Sequence, residues 1–170
     1  MFQKVNKIIL ILTCMMPFSC FALATDNQQP MIIQSDSANI NQGTGVNIFN
    51  GHVRVIQGTT HLNASHATTY TDKNNKLNEA IALGNKTTQA HYWTLTDPNK
   101  PEMHAYADTI KMFPQKNLIY LIGSAKVTQG KDVYQAPQIE YNTLLKHVVS
   151  KASKQGRTTI ILHPKKTKRS

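Results

Sequence analysis

Apolar and polar residues alternate along most of this chain with a period of two. Ala38 and Ile40, Val46 and Ile48, Val53 and Val55, and Leu62 and Ala64 each enclose a polar residue, namely Asn39, Asn47, Arg54 and Asn63. Farther on, Ile110 with Met112, Leu118 with Tyr120, Ala125 with Val127, and Tyr134 with Ala136 repeat the spacing. Side chains two apart share one face of a strand, so the pattern predicts half-buried β-strands. Turn-forming clusters at 42–45, 72–75 and 114–117 interrupt it. A strand every nine residues or so gives about 16 short antiparallel strands, an all-β architecture. Leu145, Val148, Val149 and Ala152 also fit helical spacing. The matching stretch around Asn74 and Asn75 reads as a hairpin turn, and strand is the reading kept for 143–152.

That matching stretch exists because the chain is written twice. Gly51 to Gly58 reads GHVRVIQG and Gly123 to Gly130 reads GSAKVTQG, with four identities and a cation at the fourth place of each. The same offset of 72 pairs Asp36 with Asp108, Ala64 with Ala136 and Gly84 with Gly156. The repeat units cover about 35–98 and 107–164. The two glycines of each phrase bracket a short strand and supply turn or bulge geometry. Stacked units make a roll with an apolar inside and a charged outside, its end strands left unpaired. Such edges template β-augmentation, and copies added head to tail form an open chain.

Composition changes this picture at the ends. Lys4 and Lys7, the apolar run Ile8 to Met16, and Ala22-Leu23-Ala24 have the three parts of a cleavable export signal, so residues 1–24 are expected to leave before Thr25. The apolar run is too short for a permanent span. Both cysteines, Cys14 and Cys20, leave with it, and the single domain at 25–163 folds without disulfides. The formal net charge of +10 falls to +8, with 17 basic against 9 acidic residues. Excess positive charge favours an acidic partner such as an anionic lipid or a phosphorylated glycan, and export speaks against nucleic acid. Part of it lies in a basic tail, 164–170, with nothing apolar to bury.

Pro30 to Asp36, Asn50 to Thr59, Asn63-Ala64, the second glycine phrase, Gly156-Arg157-Thr158-Thr159 and the lysine-rich end, in this order after an export signal, carry a family resemblance. The chain resembles the periplasmic lipopolysaccharide-transport bridge family of Gram-negative bacteria, the lipopolysaccharide transport protein A type with its organic-solvent-tolerance-type β fold. The resemblance implies an open V-shaped β-jelly-roll, internally duplicated, whose apolar groove binds the lipid A portion of lipopolysaccharide. It implies as partners an inner-membrane transport complex with a membrane-anchored β-jelly-roll member, an outer-membrane lipopolysaccharide assembly protein, and further copies of itself. Groove positions of the family fall on Met31, Ile33 and Met112. Inward alternation adds Ile40, Ile48, Val53, Val55, Leu62, Ile110, Leu118, Tyr120, Val127 and Tyr134. A basic position of the family falls on Thr71, and Gln89 to Trp93 departs from its aromatic pattern.

Other chemistry is weakly written. Gly84-Asn85-Lys86-Thr87 lacks the adjacent Gly-Lys and the following helix of a phosphate loop. Seven histidines are scattered, and His61 and His66 have opposite strand parity, which predicts opposite faces and no metal site. Asp36 and Asp108 are equivalent by duplication and are expected to bond turn backbone; a hydrolytic pair is the enzyme alternative. Trp93, Tyr92 and the tyrosines at 70, 106, 120, 134 and 141 motivate an alternative, a cell-envelope glycan-binding module. The expectation is a carrier that conveys lipopolysaccharide between the two membranes, without catalysis, cofactor or metal.

Overall fold

A computed structural model describes residues 26–151 and 156–164. The expected export signal and the basic tail from 165 onward lie outside the described residues. Within them the chain forms β1 (Ile32–Gln34), β2 (Ser37–Asn41), β3 (Val46–Gln57), β4 (Thr60–Thr71), β5 (Leu77–Leu83), β6 (Ala90–Thr94), β7 (Met103–Ala107), β8 (Thr109–Phe113), β9 (Leu118–Gln129), β10 (Asp132–Asn142), β11 (His147–Lys151) and β12 (Thr159–Ile161). Every pairing is antiparallel. Of the segment with helical spacing, His147–Lys151 form strand β11 and 143–146 a turn, while Ala152 lies outside the described residues.

The twelve strands run in eight lanes. One leaf has the order β2-β3-β4-β5-β8-β9-β10-β11, and the other has β1-β3-β4-β6-β7-β9-β10-β12. Four lanes, β3, β4, β9 and β10, pass unbroken from one leaf to the other; four are broken at the line where the sheet folds over. Twelve strands stand among the described residues where about 16 were expected, because those four lanes do not stop at the fold line. The duplication is exact in the bounds of the longest pair, Val46–Gln57 against Leu118–Gln129.

The repeated phrase marks the fold line. Gly51 and His52 have φ of 73° and 45°, and Gly123 and Ser124 have φ of 81° and 46°. Two consecutive left-handed residues on β3 or β9 face a single residue on the neighbouring strand, Ser65 on β4 or Pro137 on β10, where the register shifts. This is bulge geometry, and it bends a lane sharply while keeping it in the sheet. Glycine leads each pair because the left-handed region is costly for a residue with a Cβ. The Asp36 and Asp108 N–H groups donate to the Gly51 and Gly123 carbonyls at 2.9 and 3.1 Å. A Cβ on either glycine would collide with the aspartate carboxylate. These bonds come from the main chain of each aspartate, whereas the carboxylates meet side chains, His52 at Asp36 and Gln89 at Asp108.

Cross-strand register fixes which side chains point inward. Phe49, Ala67, Ala82, Ile110, Leu121 and Ile139 form a continuous row across one leaf. Val55, Leu62, Tyr92, Ala105, Val127 and Tyr134 form the corresponding row across the other. Residues of both rows pack in one apolar cluster, so the leaves close on each other. Ile110, Leu121 and Ile139 are its largest fully buried side chains, and Val53 is fully buried in a second cluster with Phe49 and Ala67. Each stabilises the fold by about 1.5–3 kcal/mol relative to an exposed position.

Candidate functional site

The inner surface is built largely from small residues. Ala80 and Ala82 on β5, Ala90 on β6, Ala105 and Ala107 on β7, Ala125 on β9 and Ala136 on β10 are all buried. Low side chains let two leaves approach, and in the central lanes the interior is filled. Burial falls away toward the edge lanes. Ile40 on β2 lies in an inward row yet is 56% exposed, and at the opposite edge the inward Val148 and Ile160 are 42% and 55% exposed. Between the leaves, half-buried Met112, Tyr141, Val55, Val127 and Tyr134 lean on the central cluster. The inner face is thus largely apolar, packed at its middle and increasingly exposed toward both edges.

Among the residues expected to line it, Val53, Leu62 and Ile110 are buried in the clusters, and Ile33, Val55, Met112, Val127 and Tyr134 pack against them. Met31 precedes β1 and is 47% exposed. Three residues are corrected. Ile48 pairs with Asn39 and Thr68, and Tyr120 pairs with Lys111 and Glu140, in the outward row between inward positions. Leu118 shares the outward phase with Tyr120, and the inward residues are Ile119 and Leu121. The run Leu118 to Ile122 is apolar at every place, so its periodicity carries no phase. Near Ile48 the inward neighbour is polar Asn47, whose amide donates to the Thr69 hydroxyl at 3.2 Å, while Phe49 is buried.

The alternation also missed Phe49, Tyr92, Met103, Ile119, Leu121 and Ile139 of the core. A usable signal was present: Ala80 and Ala82, then Met103, Ala105 and Ala107, alternate in strict period two, but alanine is a weak hydrophobic marker. The expectation that His61 and His66 point to opposite faces is also corrected. On β4 the inward set steps from Leu62 and Ala64 to Ala67, so the fold line reverses parity and both histidines lie outward.

At the rim of the β1 leaf, Asp26 ties together the start of β4, while the buried Nδ1 of neighbouring His61 has no hydrogen-bond partner. The Asp26 carboxylate accepts from the Thr59 N–H at 3.0 Å and from the Thr59 and Thr60 hydroxyls at 2.6 and 3.1 Å. Thr60 and Thr94 hydroxyls meet at 2.9 Å. Burial pushes the Tyr92 phenol above its ordinary range, and hydrogen bonds to Thr60 and Thr94 partly offset this. Burial raises Tyr141 as well. Both phenols therefore stay neutral and present rings, not charge, to the interior.

On the outer surface of that leaf, Trp93 stacks on His61 with centroids 4.8 Å apart and 5° between planes, and on His91 at 4.5 Å. Tyr106 stacks on His91 at 4.1 Å. These rings spend their faces on one another, which leaves Trp93 poorly placed to stack on a sugar. Asp36 pairs with His52 at 2.8 Å, and Asp108 accepts from Gln89 at 3.0 Å; they stand in the first and fifth lanes and do not converge. Two cavities of about 740 and 530 Å³ lie at the fold line, beside Gly123 with Arg157 and beside Gly51 with Arg54. They are not between the leaves. No helix among the described residues is long and apolar enough to cross a membrane.

Known proteins share this construction. Residues 32–146 match the family described as LptA/(LptD N-terminal domain) LPS transport protein. The chain is 34% identical over 122 residues to lipopolysaccharide export system protein LptH of Pseudomonas aeruginosa, covering 72% of this chain and 68% of that one. It is 26% identical over 144 residues to lipopolysaccharide export system protein LptA of Escherichia coli, covering 85% and 76%. The crystal structure of the Pseudomonas aeruginosa LptH, titled as a periplasmic component of a lipopolysaccharide transport device, superposes with a TM-score of 0.74 at 29% identity, over 82% of this chain and 99% of that one. With its eight-lane antiparallel roll and its two apolar inner faces, the chain belongs to the LptA/LptD N-terminal-domain family of lipopolysaccharide transport proteins.

Proposed function

We propose that this chain is a periplasmic carrier that holds the acyl chains of lipopolysaccharide between its leaves and passes them, copy to copy, from the inner toward the outer membrane. The observation that carries the reading is the apolar inner surface, continuous across both leaves and uncovered at the two edge lanes. Each methylene withdrawn from water contributes about 0.8 kcal/mol, so such a surface holds a multi-acylated lipid without covalent chemistry. Because the central lanes are filled, lipid enters by parting the leaves, with half-buried Met112 and Tyr141 as first contacts. Among the described residues, β1 and β2 pair only with β3, and β11 and β12 only with β10. These free edges suit head-to-tail addition, and they suit docking onto like-folded domains of an inner-membrane complex and an outer-membrane assembly protein.

Photocrosslinking in a Gram-negative host tests this directly. A photoreactive residue at Met112 or Tyr141 is expected to trap lipopolysaccharide, and one at outward Tyr120 is not. Equal trapping at all three positions, or none at the first two, would overturn the groove assignment.

A further inference from the structure

The outer face of the β1 leaf holds an arrangement that lipid carriage does not use. His91 on β6 and His104 on β7 sit on adjacent antiparallel strands, diagonal across the register pairs His91–Tyr106 and Trp93–His104. Their ring nitrogens, His91 Nε2 and His104 Nδ1, are 3.1 Å apart. Two imidazole nitrogens bound to one zinc-like cation at about 2.0–2.1 Å and separated by this distance subtend an angle of about 98° at the metal. That angle suits adjacent positions of a tetrahedral, square or octahedral sphere.

Two further features favour a chelate over a chance contact. The rings are held in place, His91 by stacking on Trp93 at 4.5 Å and Tyr106 at 4.1 Å, so little side-chain freedom is lost on binding. The other nitrogen of His104, Nε2, faces the Glu102 carboxylate at 3.8 Å. At this distance the carboxylate places a negative charge beside the pair without a hydrogen bond, and the proton that His91 Nε2 and His104 Nδ1 share is the one a bound cation displaces. No cluster of three or more ligating side chains is assembled among the described residues. Water or an external ligand must therefore complete the sphere, and the site is exchangeable.

We propose that His91 and His104 form a two-point surface chelate for a late first-row divalent cation such as copper(II), nickel or zinc, with the Glu102 carboxylate adding negative charge nearby. Calcium and magnesium, which demand oxygen donors, are excluded by the donor set.

The test uses the untagged, full-length exported protein, titrated with copper(II) and followed by electron paramagnetic resonance, and with nickel followed by calorimetry. One equivalent bound, with hyperfine coupling from two imidazole nitrogens, is expected. His91→Gln and His104→Gln are each expected to weaken binding about tenfold or more, at least the loss seen when an outer-shell partner is removed. Glu102→Gln should weaken it less, and His66→Gln and His163→Gln should leave it unchanged. Circular dichroism on each variant separates lost binding from lost fold. Absence of a saturable equivalent, a single-nitrogen spectrum, or binding indifferent to both ladder substitutions in folded protein would overturn the proposal.

Discussion

The Asp108 N–H donates to the Gly123 carbonyl at 3.1 Å, and the Asp108 carboxylate fills the space that a side chain on Gly123 would need. Gly123→Ala therefore meets a double obstacle, a φ of 81° and a steric clash. It is expected to lower unfolding free energy by about 2 kcal/mol or more, read from urea denaturation. Asp108→Ala in the same chain removes the carboxylate part of the clash but leaves the Cβ contact and the dihedral strain, so the double variant should be less destabilised than the sum of the singles.

Leu121 and Tyr120 are sequence neighbours with opposite fates. Leu121→Ala empties a fully buried site and is expected to cost roughly 2–5 kcal/mol. Tyr120→Ala, on the outer face with only an edge contact to Phe113 at 5.7 Å, should cost clearly less. Thermal melts of the two variants check the inward phase of β9, and equal losses would contradict it.

Asp26→Ala removes the acceptor for one backbone N–H and two threonine hydroxyls at the β1-leaf rim. A loss of about 1–3 kcal/mol follows from leaving such partly buried donors unsatisfied. Hydrogen exchange should show faster opening at Thr59 and Thr60 before the central lanes respond.

Burial, and then the neighbouring His104, lowers the His91 imidazole from its ordinary 6.5 to about 4. The unfolded chain takes up a proton at His91 near pH 6.5 while the folded chain resists until about 4. Its contribution to stability is therefore present above pH 6.5 and is lost as pH falls through that window. His91→Gln is expected to flatten the fall in melting temperature between pH 7 and pH 4.5 relative to the parent chain.

How far the fold was legible depended on what each strand put on its two faces. Where polar and apolar residues alternate cleanly, as from Leu62 to Ala64 or Ala125 to Val127, the inward side chains could be named in advance. Leu118 to Ile122 is apolar on both faces and offers no phase. At Val46 to Phe49 the usual rule is inverted, because an inward Asn47 is satisfied by Thr69. The glycine phrase showed the duplication, but its meaning as a corner needed the partner strand, since only pairing reveals that Ser65 or Pro137 faces two residues at once. The outer ring ladder was unreadable for a similar reason. His61, His91 and His104 come from three strands, and only their registration brings the rings together.

Four unbroken strands crossing the fold line limit how this molecule can move. Sliding one half past the other would stretch covalent backbone in β3, β4, β9 and β10, whereas swinging the halves apart asks only for small torsional changes near Gly51 and Gly123. The molecule thus behaves as a book on its spine: its covers can part or close, but neither can slip along the other.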